Sequence, residues 1–71
     1  MHTGEIVKFS WWTGYKAPTV IDPGEHPSWH TVEPGETGII VKNSGDGTAN
    51  VLFSKTYCLL RVHETMLEPI E

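Results

Sequence analysis

The sequence lacks most of the features that stabilise or localise a very small protein. Its 71 residues include one cysteine, Cys58, which excludes a disulfide within the chain and favours a reducing compartment. The longest apolar runs, such as Ile39 to Val41, are far shorter than the about 20 residues that cross a bilayer. The N-terminus also lacks the basic start and apolar stretch of a secretory signal. These absences predict a soluble protein that works inside a cell, or in a particle assembled there, and depends on packing for its stability.

A cluster of positive charge is also missing. Nine acidic residues outnumber five basic residues, which gives a formal net charge of −4. The basic residues are scattered along the chain: Lys8, Lys16, Lys42, Lys55 and Arg61. Because binding to phosphates needs clustered cations, this distribution weighs against a nucleic-acid partner without excluding a local basic patch.

What the chain does contain is a succession of short β-forming segments. The first, Glu5 to Trp12 (EIVKFSWW), is rich in residues that favour strands. Because side chains alternate between the two faces of a strand, Trp11 and Trp12 cannot both enter one core. The face without lysine or serine carries Trp11, so we expect Trp11 to point inward and Trp12 to point outward.

A segment rich in proline and glycine, residues 13–37, follows this strand. Its DPGE and EPGE tetrads are typical of tight turns, because proline presets φ and glycine accepts positive φ. An unstructured loop of about 25 residues is rare in so small a domain, where connections are typically about 4 to 6 residues long. We therefore predict an irregular hairpin whose arms are Thr19 to Ile21 and Trp29 to Val32.

The second half of the chain predicts a hairpin, a further strand and a 3₁₀ turn. A Gly/Asp/Ser cluster, Ser44 to Thr48, separates two β-type runs (IIVKN and NVLFS) and indicates a tight turn. A strand from Tyr57 to His63 is expected next. Because Pro69 prevents a helix from continuing in the tail, we predict a 3₁₀ turn at Glu64 to Met66 and a final strand at Leu67 to Ile70.

This order of elements predicts an all-β fold, a small five-stranded SH3-like barrel that spans residues 1–71. The long structured insertion follows its first strand, and the 3₁₀ turn precedes its last strand. The chain also resembles small SH3-like barrel proteins encoded by tailed bacteriophages, in the segments TGEIVKF, EPGETGIIV, NVLF and RVHETMLEPIE. The resemblance covers both ends of the chain and leaves residues 11–33 unmatched. It implies a place in a virion, as a head or tail fitting or as a decoration protein.

Alternation within the strands divides the apolar residues between two faces. The predicted core consists of Val7, Phe9, Trp11, Ile39, Val41, Val51, Phe53, Cys58, Leu60, Val62 and Leu67. The residues predicted to face outward are Ile6, Trp12, Ile40, Leu52, Tyr57 and Leu59. This outer set is unusually apolar for a sheet that solvent covers.

Two explanations compete for the outward apolar residues. In the first, the insertion folds over the barrel and covers them with Val20, Ile21, Trp29 and Val32. In the second, they dock against another subunit, since aromatic anchors within an apolar patch are typical of protein interfaces. The candidate partner-binding residues are Trp12, Tyr15, Lys16, Trp29 and Tyr57.

A metal site is the first chemical alternative. His26 and His30 have the i, i+4 spacing that places two imidazoles on one face of a helix, with Glu25 and Glu33 nearby. However, Pro27 disfavours a helix there, and the chain has no HExxH or paired-cysteine pattern. The sequence therefore favours solvated loop histidines, and no metal or other cofactor is expected.

A thiol nucleophile is the second chemical alternative. Cys58 and His63 are close in sequence, but an offset of five residues on one strand places them on opposite faces. A small buried thiol explains Cys58 better than a reactive one. No catalytic residue is therefore assigned.

The chain as a whole predicts a non-enzymatic structural or binding module, with no small-molecule substrate, that docks onto a larger protein assembly. Multi-copy capsid or tail subunits are the partners that the resemblance implies, with the virion or the host-cell cytoplasm as the location. One alternative is a nucleic-acid-binding barrel like those of ribosomal and transcription factors, for which Lys8, Lys42 and Arg61 are predicted to face outward beside aromatic residues. The other is a free regulatory module that binds protein.

Overall fold

The computed structural model describes residues 2–20, 26 and 28–70, and these residues form an all-β fold, as predicted. In chain order its elements are β1 (Ile6–Phe9), β2 (Tyr15–Pro18), β3 (Trp29–Val32), β4 (Thr37–Asn43), β5 (Thr48–Phe53), β6 (Cys58–His63), a 3₁₀ turn (Glu64–Met66) and β7 (Leu67–Pro69). The described part of the chain thus has seven strands where five were predicted, because the insertion contributes β2 and β3. The 3₁₀ turn lies at the predicted residues.

The strands are arranged in two antiparallel sheets. Five of them form one sheet in the order β6-β5-β4-β1-β7, and β2 pairs with β3 in the other. The insertion is tied to the edge of the large sheet, since Thr19 bridges Leu60 and the Val20 N–H donates to the Leu59 carbonyl at 2.9 Å. Over the described residues the strands do not close into a single barrel.

The core lies between one face of the large sheet and one face of the small sheet. Its buried apolar residues are Val7, Phe9, Ala17, Val32, Ile40, Ala49, Val51, Phe53, Leu60, Val62, Met66 and Leu67. Alternation predicted the inward residues of β1, β5 and β6 correctly, apart from Ala49. Ala17 and Val32 belong to β2 and β3, so the insertion packs into the central core and does not form a separate one.

The first strand is shorter than predicted and ends at Phe9. After it, the Ser10 N–H donates to the Met66 carbonyl at 2.8 Å, which extends the register between β1 and β7 by one residue beyond the strand. Trp11 is half-buried and packs against the core, whereas Trp12 is 81% exposed. The predicted separation of the two tryptophans is confirmed, although neither of them lies on the strand.

The hairpin within the insertion has one arm where we predicted it and one elsewhere. Trp29–Val32 is a strand, but its partner is Tyr15–Pro18 and not Thr19 to Ile21. The pairing places Ala17 opposite His30, and burial of Ala17 and Val32 fixes which faces of β2 and β3 turn inward. Thr19 bridges β6 and also donates its N–H to the Ser28 carbonyl at 2.8 Å, while Ile21 lies outside the described residues.

The predicted faces of β4 are wrong. Ile40 is buried at 1% exposure, whereas Ile39 and Val41, which were assigned to the core, are exposed. Gly38 explains which residues of β4 face inward, because a Cβ at this position would lie 2.7 Å from the Leu52 carbonyl oxygen and from Val51 Cγ1. The position that tolerates no side chain therefore faces inward, and Ile40, two residues on, shares that face.

The observed β4 also contains a β-bulge that was not predicted. The register between β4 and β5 shifts between Ile40 and Lys42, which leaves Val41 opposite no residue of β5. The predicted turn after this strand is confirmed, with Gly45 and Gly47 both at positive φ. In the part of the chain that the structure describes, no helix is long and apolar enough to cross a membrane.

Candidate functional site

An apolar row crosses the outer face of the large sheet from edge to edge. Pairing places Ile6 opposite Ile39, Ile39 opposite Leu52, and Leu52 opposite Leu59. The Ile70 N–H donates to the Ile6 carbonyl at 3.1 Å, which continues the register between β1 and β7 by one residue. Because directly paired residues share a face, five apolar side chains lie side by side. We call this row the outer stripe: Ile70, Ile6, Ile39, Leu52 and Leu59.

Much of the outer stripe is exposed to solvent. Ile6 is 55% exposed, Ile39 is 39% exposed and Ile70 is 43% exposed, whereas Leu52 and Leu59 are half-buried. Of the residues that the sequence predicted to face outward, Ile6, Trp12 and Tyr57 are exposed, so the described part of the insertion does not cover them. Three aliphatic side chains in contact with solvent within one row are more than scattered surface residues account for.

A groove lies along the middle of the outer stripe. It has a volume of about 340 Å³ and is lined by Ile6, Thr37, Gly38, Ile39, Leu52, Ser54 and Tyr57. Its polar lining groups already bond each other, since the Ser54 hydroxyl donates to the Thr37 carbonyl at 3.2 Å. The groove is therefore an apolar recess suited to a side chain of a partner rather than to a polar substrate.

Polar rows flank the outer stripe on both sides. On one side, Lys8 lies opposite Glu68 and forms an ion pair with it at 3.9 Å between Lys8 Nζ and Glu68 Oε2. On the other side, Asn50 lies between Lys42 and Arg61 in the sheet register. An apolar centre with a polar rim is the common anatomy of a protein interface.

The electrostatics of this face differ from those of the whole chain. Lys8, Lys42 and Arg61 border the outer stripe, and they are three of the five basic residues in a chain of net charge −4. Glu68 offsets Lys8, but among the described residues no carboxylate lies within 4.0 Å of Lys42 or Arg61. The side of the outer stripe that Lys42 and Arg61 border, across β4, β5 and β6, is therefore locally basic.

Asp46, in the turn between β4 and β5, interacts electrostatically with Arg61 on that basic side. The Thr48 hydroxyl and the Thr48 N–H donate to Asp46 Oδ1 at 2.6 and 3.1 Å. These two hydrogen bonds, with a smaller contribution from the charge of Arg61, lower the pKa of Asp46 below its ordinary value. The carboxylate is thus engaged in holding the turn.

Tyr57 stands at the end of the groove in an unusual backbone conformation. Its φ is 57°, and it is the one non-glycine residue with positive φ in the described part of the chain. The ring is 81% exposed, although its N–H donates to the Phe53 carbonyl at 2.8 Å. A left-handed backbone conformation is unfavourable for a bulky residue. The turn therefore holds Tyr57 in a backbone conformation that tyrosine disfavours, with its ring in solvent.

The predicted partner-binding residues do not form one cluster. Trp12 and Tyr57 are largely exposed, Trp29 is 56% exposed, and Lys16 is also exposed. Tyr15 is half-buried and packs against the core, so little of its side chain is available to a partner. Of the five, Tyr57 is the one that lines the groove.

Two parts of the outer stripe were not identified from the sequence. Ile39 was assigned to the core because three consecutive apolar residues do not show which of them face inward. Ile70 was placed in a strand, but no prediction was made of the face to which it belongs. The buried glycine at position 38 was the available signal for Ile39.

The structure places Cys58 and His63, the two residues considered for a thiol nucleophile, on opposite faces of β6. His63 is exposed on the outer face, and Cys58 packs from the other side of β6 against the core, as predicted. The histidine that approaches the thiol is His30, with 3.9 Å between Cys58 Sγ and His30 Nε2. Because the thiol also lies 3.4 Å from the Thr56 carbonyl, its hydrogen has an acceptor within the protein. The pair is a thiol packed beside an imidazole.

A metal centre finds no support in the described residues. They contain no group of three or more His, Cys, Asp or Glu side chains placed to hold a metal ion. His26 is exposed and His30 is turned toward Cys58, while Glu25 lies outside the described residues.

Among the described residues, the outer face of the large sheet therefore combines an apolar row, polar flanks and an exposed aromatic ring that lines the groove. Burial of aliphatic side chains and complementary charges at their rim are the features by which protein surfaces commonly bind other macromolecules. Comparisons of the chain with protein-family models, with curated proteins and with solved structures found no match.

Proposed function

We propose that this chain is a non-enzymatic binding module that docks onto a larger protein assembly through the outer stripe and Tyr57. The observation that carries the proposal is the pairing of Ile70, Ile6, Ile39, Leu52 and Leu59 into one partly exposed row. Covering such a row on association removes apolar surface from water and stabilises the complex.

The backbone conformation of Tyr57 adds support of a different kind. Folding alone gains little from a tyrosine that is 81% exposed at positive φ. The same ring becomes an anchor when a partner buries it, because tyrosine contributes a large contact area at low entropic cost.

We propose further that the fold is a small SH3-like barrel and that the assembly is a phage virion, with capsid or tail subunits as partners. The strand order β6-β5-β4-β1-β7, the hairpin inserted between β1 and β4 and the 3₁₀ turn before β7 support the first part. The second part rests on the resemblance of the segments TGEIVKF, EPGETGIIV, NVLF and RVHETMLEPIE to phage proteins of that type.

The docking proposal is tested by co-purification from the native source with two sets of variants. The first carries Ile6→Thr and Ile39→Thr, which keep β-branched side chains and therefore strand propensity while making the outer stripe polar. The second carries Trp12→Ala and Trp29→Ala, which remove exposed aromatic residues outside the groove. We expect the first set to lose a stoichiometric protein partner and the second set to retain it.

Circular dichroism and a denaturant titration establish that both sets are folded. A folded Ile6→Thr/Ile39→Thr protein that keeps its partner at wild-type stoichiometry refutes docking through the outer stripe. If only the Trp12→Ala/Trp29→Ala set loses the partner, docking occurs through the aromatic residues outside the groove.

A nucleic-acid-binding function is the second candidate, and one observation favours it. Lys8, Lys42 and Arg61 border the same face as the exposed ring of Tyr57. The row between them is aliphatic, however, and lacks the aromatic platform on which bases stack. Binding to single-stranded DNA or RNA at low salt that weakens steeply as salt rises supports this candidate, and no binding at low salt removes it.

A further inference from the structure

The charge around the outer stripe indicates the chemistry of what covers it. Two of its neighbouring cations, Lys42 and Arg61, flank Asn50 on adjacent strands, and no described carboxylate lies within 4.0 Å of either. A chain of net charge −4 repels acidic partners at a distance, so this local basic side is the place where such a partner is attracted. Complementary charge at the rim fixes the orientation of an apolar contact.

The dimensions of the face indicate the size of the partner element. Neighbouring strands lie about 4.8 Å apart, so the stripe across five strands is about 19 Å long. With the polar rows two residues away on each side, the face is about 14 Å wide and covers on the order of 300 Å². A stable pair of globular subunits buries about 800 Å² on each side, which is more than twice this area. A single segment of a partner fits the face better than the sheet of a second copy does.

We propose that the outer stripe accepts an acidic amphipathic segment of another protein. Its apolar side chains enter the groove beside Tyr57, and its carboxylates meet Lys42 and Arg61. A segment that follows the stripe has about 13 residues if helical or about six if extended. This inference rests on the docking function proposed above and adds the chemistry of the partner.

The experiment uses a displayed library of random peptides of about 15 residues, a length that includes both the helical and the extended segment. Selection is carried out on the full chain immobilised through its N-terminus, with depletion on the Ile6→Thr/Ile39→Thr protein. The enriched peptide is then synthesised with a fluorescent label, and its affinity is measured by fluorescence anisotropy. We expect the enriched sequences to combine Asp or Glu with spaced Leu, Ile, Phe or Trp.

Charge-reversal variants test where the acidic residues bind. We expect Lys42→Glu and Arg61→Glu each to lower the affinity for the labelled peptide about fivefold. Lys16→Glu on β2 is the matched control, because it makes the same change of net charge on the other sheet. A peptide with Gln and Asn in place of Glu and Asp should bind more weakly to the wild-type chain and equally to all three variants.

The outcomes separate failure of this inference from failure of the docking function. If Ile6→Thr/Ile39→Thr abolishes binding while Lys42→Glu and Arg61→Glu act no differently from Lys16→Glu, the docking face stands and the acidic partner is refuted. If Ile6→Thr/Ile39→Thr leaves the affinity unchanged, the docking face itself is refuted.

Three further results would overturn the inference. The first is selection of neutral or basic peptides or of none. The second is self-association that sedimentation shows to depend on Ile39, which makes a second copy the occupant. The third is salt-sensitive binding of single-stranded DNA that Arg61→Glu removes, which makes nucleic acid the occupant.

Discussion

At the residue scale, Tyr57 combines an unfavourable backbone with an exposed ring. We expect Tyr57→Gly to keep or raise the free energy of unfolding by up to about 1 kcal/mol, since glycine adopts positive φ without a steric penalty. Tyr57→Asn, another residue tolerant of this conformation, should behave similarly. Both variants should lose partner binding, because the groove loses its aromatic end.

The measurement for Tyr57 is a urea titration beside the peptide-binding assay. Destabilisation by several kcal/mol in both variants would show that the ring is structural, contrary to its exposure.

Two adjacent isoleucines on β4 provide a second test at this scale. Ile40→Ala should lower the free energy of unfolding by about 2 to 5 kcal/mol, because the side chain is buried and its removal leaves a cavity. Ile39→Ala removes the same atoms one residue earlier, from the solvent side, and should cost less than about 1 kcal/mol. Equal costs in chemical denaturation would contradict the observed faces of β4.

At the element scale, the close contact between β4 and β5 depends on Gly38. We expect Gly38→Ala to destabilise the chain by about 1 to 3 kcal/mol, because its Cβ would meet backbone atoms of β5 that cannot move aside. Gly14→Ala is the control, since the nearest atoms there belong to the side chains of Glu33 and Thr31 at 3.3 Å. Differential scanning calorimetry should show a much lower Tm for the first variant. A Gly38→Ala protein as stable as Gly14→Ala would mean that the strands separate easily at this point.

The turn between β4 and β5 makes a pH-dependent contribution to stability. The folded pKa of Asp46 lies below its ordinary value of 3.8 because Thr48 donates two hydrogen bonds to the carboxylate. A depressed folded pKa means that this contribution is present above about pH 3.8 and is lost as the pH falls through the folded pKa.

An NMR titration of the Asp46 carboxyl measures that pKa directly. We expect Thr48→Val to raise it toward 3.8 by removing the hydroxyl donor, and Arg61→Gln to raise it by less. A larger effect of Arg61→Gln would make the charge, and not the turn hydrogen bonds, the main cause.

At the scale of the whole molecule, the two faces of the large sheet differ in their exposure to solvent. The inner face holds the core with Val7, Phe9, Val51 and Phe53, all fully buried. The outer stripe belongs to the same sheet, but three of its five members are exposed and the other two are half-buried. If the chain docks through the outer stripe as proposed, alternate residues of β1, β4 and β5 serve stability and docking.

This separation predicts that the Ile6→Thr/Ile39→Thr protein is nearly as stable as the wild-type chain. Its free energy of unfolding should change by less than about 1.5 kcal/mol, the scale of cross-strand side-chain pairs on an exposed face. Guanidinium titrations of the two proteins measure the difference. A loss of several kcal/mol would show that the outer stripe is part of the core, and loss of the partner would then be uninformative about docking.

Sequence patterns predicted those parts of the fold where the chemistry of single residues is decisive. The turns at Ser44 to Thr48 and at Glu64 to Met66 follow from glycine, aspartate and proline, whose backbone preferences are local. The inward faces of β1 and β6 follow because polar residues such as Lys8 and Arg61 alternate with apolar ones and set the phase. The all-β class follows from both.

Tertiary structure alone decided the features that depend on non-local neighbours. The run from Ile39 to Val41 has no polar residue to set its phase, so β5, packed against Gly38, determines which isoleucine is buried. Burial of Ala17 against the large sheet determined that β2 is the partner strand of β3. The insertion folds back toward β6, and this brings His30 beside Cys58. The outer stripe likewise exists through the register of five strands, because residues from position 6 to position 70 become adjacent only when those strands pair.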